Sequence, residues 1–283
     1  MSGKSKAKDL RSFVRSSWLS WAACFVLGAI TWGLHAVHEI ALTHRAFISG
    51  WALVGAMVFL TLYNLRKKVD FLPAVFASRH WLWAHLVVGY WSVWVFVLHV
   101  GVRLPEGILE SLLWLQFVVV IASGVFGHYI SRRFPRLLAD RGQEVLFQRI
   151  PVLIRDQRLR VEAAVLRAAS EGESAAIPEF YTQQLLPFFA GPANFLGHLL
   201  NSRRTRERLL RALDGLEKVS ARGQVEVVAE LREAVIGKDD LDYHHAHQAL
   251  LKYWLFLHVP LAYSLLVVAA LHVVLAYAFG GMS

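Results

Sequence analysis

Four histidines in two apolar stretches have the residue type and spacing for metal chemistry: His85 and His99 in one, His258 and His272 in the other, fourteen residues apart in each. Fourteen residues at about 100° each return to within roughly 40° of a whole number of turns, so each pair lies on one helix face, about 21 Å apart along the axis. That distance accommodates two stacked sites within one bilayer. Burial of an ionisable side chain in a membrane is costly and marks a functional position, and neutral imidazole is the usual protein ligand of haem iron. Any one of these histidines alone would be read as a hydrogen bond between helices. Four of them at two matched levels point instead to two bis-histidine haems.

Such ligands need helices to carry them. The chain has 283 residues, 56% of them hydrophobic, with ten Trp and seventeen Phe, more apolar mass than a soluble core requires. The expected spans run roughly from Ser17 to Val37, Gly50 to Leu65, Trp81 to Gly101, Leu112 to Ile130 and Tyr253 to Phe279, each near the ~20 residues of a bilayer core. The first follows a basic stretch but is longer than a signal-peptide core and lacks a small-residue cleavage site, so it is read as a retained helix. The fold class expected is all-α: an integral membrane bundle of about five helices with a helical cytoplasmic insert between the fourth and fifth. The division is 1–130 for the four-helix membrane part, 131–250 for the insert, and 251–283 for the helix that completes the bundle.

Charge orients this bundle. The formal net charge of +9 is concentrated at Lys4, Lys6, Lys8, Arg11 and Arg15, at Arg66, Lys67, Lys68 and Arg79, and at Arg132, Arg133, Arg136 and Arg141, whereas the opposite loops carry Arg45 and Arg103. By the positive-inside rule the N-terminus and the insert face the cytoplasm and the C-terminus lies outside, as in a bacterial inner membrane. Topology accounts for the basic excess without nucleic acid. The insert itself is nearly balanced, with eighteen Arg or Lys against sixteen Asp or Glu, and its apolar residues recur at helical spacing around Val161–Leu166, Leu209–Leu213 and Val225–Leu231. It carries no GxGxxG and no GxxxxGK[ST], so it is read as a helical scaffold or docking surface. Cys24, the single cysteine, excludes a disulfide framework, a Cys-ligated cluster and covalent CxxCH haem attachment.

With the N-terminus inside, the third and fifth spans run in the same direction. His85 and His258 then share the inner level and His99 and His272 the outer one, giving an inner haem on the first pair and an outer haem on the second. Arg103, one turn beyond His99, is a candidate for the outer propionates, and Arg79 and Lys252 for the inner ones. Gly28, Gly33, Gly89, Gly124 and Gly127 lie at depths where a porphyrin would need small neighbours, and Pro260 is expected to bend its helix near the inner site. Quinone carbonyls need polar groups that exchange protons. His35, His38 and Glu39 (with His44 nearby) are one such candidate group and His128 another. His80 and the run His244, His245 and His247 are expected in solvated loops at the inner entrance.

Two parallel helices with this His-x13-His pattern resemble the N-terminal di-haem core of cytochrome b and cytochrome b6, and more distantly the membrane domain of ferric reductases and NADPH oxidases. The likeness covers Trp81 to Phe279 without the insert. It implies two haem b groups with His85, His99, His258 and His272 as axial ligands, and electron transfer across the bilayer to or from a quinone pool. The Pro-Glu-Trp-Tyr segment of the cytochrome b quinol site is missing here, which argues against a Q-cycle. The flavin and nicotinamide domains of the oxidase-like families do not follow Phe279. The expectation is an electron-transfer subunit of a larger respiratory oxidoreductase, served by a multihaem cytochrome or an iron–sulfur protein. Readings from other classes are a histidine-lined divalent-metal transporter, which would need carboxylates or thiols among the spans, and a non-redox membrane anchor for a complex.

Overall fold

The computed structural model describes residues 22–33, 45–66, 78–101, 103–141, 145–170, 175–220 and 224–279, and among them all regular structure is helical. Three helices are long and apolar enough to cross a bilayer: α3 (Ser78–Val100), α4 (Ile108–Ala139) and α10 (Val225–Phe279). The first two expected spans coincide with shorter apolar segments, α1 (Ala22–Gly33) and Phe47–Tyr63 within α2 (Arg45–Arg66). Only 6% of the most apolar window of α4 is buried inside the protein. An apolar surface of that extent without protein cover is what lipid solvates.

The chain forms two compact units. The first comprises 1–126 and 256–283, the second 127–255.

In the first unit α2 and α3 run antiparallel in a constant register. Near the start of α2, Ser49 meets His99; fourteen residues on, the Tyr63 ring lies tilted against that of His85, their centroids 5.1 Å apart. Leu53, Val95, Phe117 and Leu265 form the shared core, so α2, α3, α4 and α10 converge on one line of contact. On the other side of α3, the Trp91 indole donates to Thr31 Oγ1 of α1 at 3.0 Å. The pairs Gln116 with Ser264 and Ser123 with His258 set α4 antiparallel to α10. Because the short connection 101–107 also turns α4 back against α3, α3 and α10 are parallel, and both ascend from the lower-numbered histidine to the higher.

In the second unit α5 (Ile150–Ser170), α6 (Ala176–Phe180), a single π-turn at Tyr181–Leu185, α7 (Leu186–Phe189), α8 (Phe195–Leu199), α9 (Arg204–Val219) and the first half of α10 enclose a separate core. Ala164, Leu185, Leu213, Leu231 and Val235 at its centre are fully buried. The 3.6-residue periodicity read from 161–166, 209–213 and 225–231 is the buried face of α5, α9 and α10. Ion pairs tie the outer faces: Arg232 bridges Asp214 at 2.7 Å and Glu217 at 2.9 Å, and Arg167 reaches Glu230 at 2.8 Å.

The histidine run corrects the sequence reading. His244 and His247 are 2% exposed and lie within the continuous helix α10 rather than in a solvated loop. The charged stretch around Gly237 does not end this helix because its charges are satisfied inside the unit. Lys238 pairs with Asp242 one turn on, both side chains fully buried, and its ammonium sits 4.2 Å over the Phe188 ring. Arg141 and Arg206 flank Asp239 at 3.7 and 3.9 Å. Helix α10 also remains helical through Pro260.

Candidate functional site

The four histidines of the spacing argument all belong to the first unit, half-buried on the two parallel helices. His99 and His272 line one cavity of about 500 Å³. Its walls are mostly apolar residues of α2, α3, α4 and α10, with Trp114 and Tyr277 among them, and the exposed Arg103, Glu106 and Glu110 also line it. Tyr277 is held in place by the Trp51 indole, which donates to its hydroxyl at 3.1 Å, and by an edge contact with Phe47. A cavity of this size and polarity suits a planar apolar cofactor with a charged edge.

His99 is oriented from α2. Ser49 Oγ and His99 Nδ1 are 3.0 Å apart, and a Cβ added at Gly50 would lie 3.1 Å from His99 Cε1. A ring protonated at Nδ1 donates to Ser49 and keeps the Nε2 lone pair for a metal, the arrangement in which a partner fixes both tautomer and ring direction. The same dipeptide recurs on α4, against the other histidine of α10. Ser123 Oγ lies 3.2 Å from His258 Nδ1, and a Cβ at Gly124 would sit 3.6 Å from His258 Cε1. His85, with Tyr63 against its ring, is close enough to His258 for the two to interact electrostatically.

Ser49, Gly50, Tyr63 and Ser123 were not singled out from the sequence. The signal that could have found them is the repeated Ser-Gly dipeptide, at 49–50 and 123–124, at small-residue depth in two spans. Of the five glycines expected near a porphyrin, Gly124 packs on a histidine and Gly28 on the Trp94 indole, while Gly33 and Gly89 face open space. Gly127 belongs to the second unit and packs on Trp254.

The remaining candidates are dispersed. Arg79 falls in the first turn of α3, and His80 beside it is exposed. His128 and Lys252 belong to the second unit, where the Lys252 ammonium lies 3.9 Å over the Phe147 ring. His245 stacks on the same Phe147 ring at 5.1 Å. His35, His38, Glu39 and His44 lie outside the described residues.

The second unit concentrates buried polar groups around α10. His198 on α8 is 2% exposed, with Asp239 Oδ1 3.9 Å from its Nε2. Burial first, then the charges of Arg141 and Lys238 and the neighbouring His247, push its imidazole down to about 4. Burial raises the Asp242 carboxyl to about 6 despite the opposing ammonium of Lys238. These shifts follow from removing charge from water, and the group is a structural network rather than a ligand set. Among the described residues no three His, Cys, Asp or Glu side chains come together as a metal cage.

No protein family, curated protein or solved structure matches this chain.

The residues around the His99 and His272 cavity fit a haem in donor type: the two imidazoles, from different helices, would hold its iron, the mostly apolar walls would surround its ring, and Arg103 would offer a cation to its carboxylates beside Glu106 and Glu110.

Proposed function

We propose that the protein is a membrane cytochrome b subunit that carries electrons across the bilayer through two bis-histidine b haems. His99 and His272 hold the outer one, His85 and His258 the inner. The single observation that carries this reading is the shared cavity of His99 and His272 between parallel helices. Its counterpart one His-x13-His interval below is the His85 and His258 pair.

Haem supplies a reversible one-electron couple. The chain's own residues do the rest. Ser49 and Ser123 hold the Nδ1 side of two imidazoles so that Nε2 is presented in a fixed direction. Apolar side chains exclude water from the iron and lower the local dielectric. Arg103 offers a bidentate cation for carboxylates at the cavity rim. With both imidazoles of a pair engaged, a haem held there would be suited to electron transfer rather than oxygen chemistry.

In this reading α1 and α2 complete a five-span bundle in a bacterial inner membrane, and the second unit is a cytoplasmic insert. The electrons pass between a quinone pool and a partner redox protein, a multihaem cytochrome or an iron–sulfur protein. His35, His38, Glu39 and His128 are the candidate groups for a quinone. A divalent-metal pathway is the second reading: Glu106 and Glu110 line the cavity with His99 and His272, although no three such side chains come together as a cage among the described residues.

Low-temperature EPR of the oxidised, detergent-purified protein tests the proposal. Two low-spin ferric signals and no high-spin signal are the expected result. A dominant high-spin signal, or none from iron, would refute bis-histidine ligation.

A further inference from the structure

The last residues of the second unit before the apolar stretch 253–279 are ringed by exposed apolar side chains. On one side Phe195 of α8 meets the Tyr253 ring at 6.4 Å, and Leu196 of α8 and Leu200, the residue that follows its last turn, are 71% and 82% exposed. The inner face of this short helix is anchored by buried His198. On the other side the Lys252 ammonium covers the Phe147 ring, Gln248 Nε2 donates to the Val145 carbonyl at 2.8 Å, and the adjoining Leu146 is 68% exposed. Exposed arginines follow each group within a few residues: Arg149 after Leu146, and Arg203 and Arg204 after Leu200.

We infer that these two edges form a lipid-contacting collar. Leu146, Leu196 and Leu200 enter the headgroup layer of the leaflet that α10 crosses, and Arg149, Arg203 and Arg204 bind anionic phospholipid phosphates. The inference rests on the reading that 253–279 spans the bilayer. Two features select lipid as the occupant. The patch is continuous with the start of the span: Tyr253 has the amphipathic ring typical of the interface, and no Asp, Glu, Lys or Arg follows Lys252 up to Phe279. Its charge also complements an anionic leaflet, where leucines insert while nearby arginines stay at phosphate depth. The ordered return of the chain after α8 holds the leucines outward. Asn201 adopts a left-handed φ of 55°, and the Ser202 amide bonds back to the Gly197 carbonyl at 2.8 Å.

The test uses the full chain with Cys24→Ser and single cysteines labelled with an environment-sensitive fluorophore, in vesicles of phosphatidylcholine and phosphatidylglycerol at three to one. Leu200→Cys and Leu196→Cys probe the collar, Lys218→Cys serves as an exposed control at the far end of α9, and Val267→Cys reports the span itself. Shallow doxyl-labelled lipid is expected to quench positions 196 and 200 at least twofold more than 218, and to lose half or more of that effect in Arg203→Gln/Arg204→Gln or in phosphatidylcholine alone. Quenching at 267 by deep-labelled lipid without excess quenching at 200 would overturn the collar while sparing the span. No quenching at 267 would overturn both. Position 200 shielded by rising protein concentration instead of lipid would mean a second copy covers the patch, and equal quenching with and without anionic lipid would overturn the arginine contacts.

Discussion

Ser49 Oγ on α2 lies 3.0 Å from His99 Nδ1 on α3, with Gly50 beside it allowing the two helices to approach. Ser123 and Gly124 repeat the arrangement against His258 on α10. Two of the four proposed axial ligands, one at each level, are thus oriented by the same dipeptide from a neighbouring helix.

If that bond supports an axial ligand, removing it changes the iron's redox balance. An imidazole that donates from Nδ1 is a stronger base toward ferric iron, so Ser49→Ala should raise one haem potential and leave the other. A tenfold change in the equilibrium, at the low end for an outer-shell partner, corresponds to about 59 mV for a one-electron couple. Ser123→Ala should shift the other haem alone. A redox titration of both variants reads this directly, and a common shift of both potentials would refute separate positioning.

Replacing either member of a pair should remove one haem and spare the other. His99→Ala and His272→Ala should each reduce the content from about two to about one per polypeptide, and a double variant of this pair should do no more. His85→Ala combined with His99→Ala should abolish haem, since the two belong to different sites. Pyridine haemochrome counts on folded protein give the answer, and loss of both haems from a single variant would contradict the pairing.

The placement of the four candidate histidines on two parallel helices was legible because histidine spacing and helix period are both local, and charge asymmetry oriented the two helices. Their supports were not. Ser49 reaches His99 and Tyr63 reaches His85 only through the antiparallel register of α2 on α3, a tertiary relation that no periodicity encodes. The start of α10 was misread for a different reason. Gly237 and the charges Lys238, Asp239 and Asp240 resemble the end of a helix, yet Lys238 and Asp239 are buried, Lys238 pairs with Asp242 one turn on, and Asp239 and Asp240 pair with Arg141 and Arg206, and the run His244 to His247 follows them into the interior. The helices that form the second core were visible as apolar periodicity at 161–166, 209–213 and 225–231, whereas the π-turn at 181–185 and the left-handed Asn194 and Asn201 left no comparable signal.

The buried His198 predicts acid sensitivity in the second unit. Its folded value, near 4, is below the ordinary 6.5, so its contribution is complete above about pH 6.5 and is lost as the pH falls towards 4. The full difference is worth about 3 kcal/mol. Asp242, raised to about 6, acts in the opposite sense, adding stability as it takes up a proton below that value. Comparison of wild type with His198→Leu isolates the histidine: protection factors of α5 and α9 amides, corrected for the intrinsic pH dependence of exchange, should fall between pH 6.5 and 4 in wild type by more than in the variant. Parallel pH profiles would contradict the assignment.

Close packing predicts a sharp cost at Gly127. A Cβ there would lie 1.8 Å from Trp254 Cζ2, and an indole wedged between helices cannot yield as a flexible chain end would. Gly127→Ala should destabilise the second unit by about 1–3 kcal/mol, seen as a lowered thermal midpoint. The space at Gly33 is open, and Gly33→Ala should leave the midpoint unchanged.

The most direct test of the central claim is a haem count by pyridine haemochrome on the full chain, together with its reduced-minus-oxidised absorption spectrum. The account predicts about two non-covalent b-type haems per polypeptide with a low-spin spectrum. A colourless protein that remains so after supplementation with haem during expression and reconstitution into lipid would contradict it.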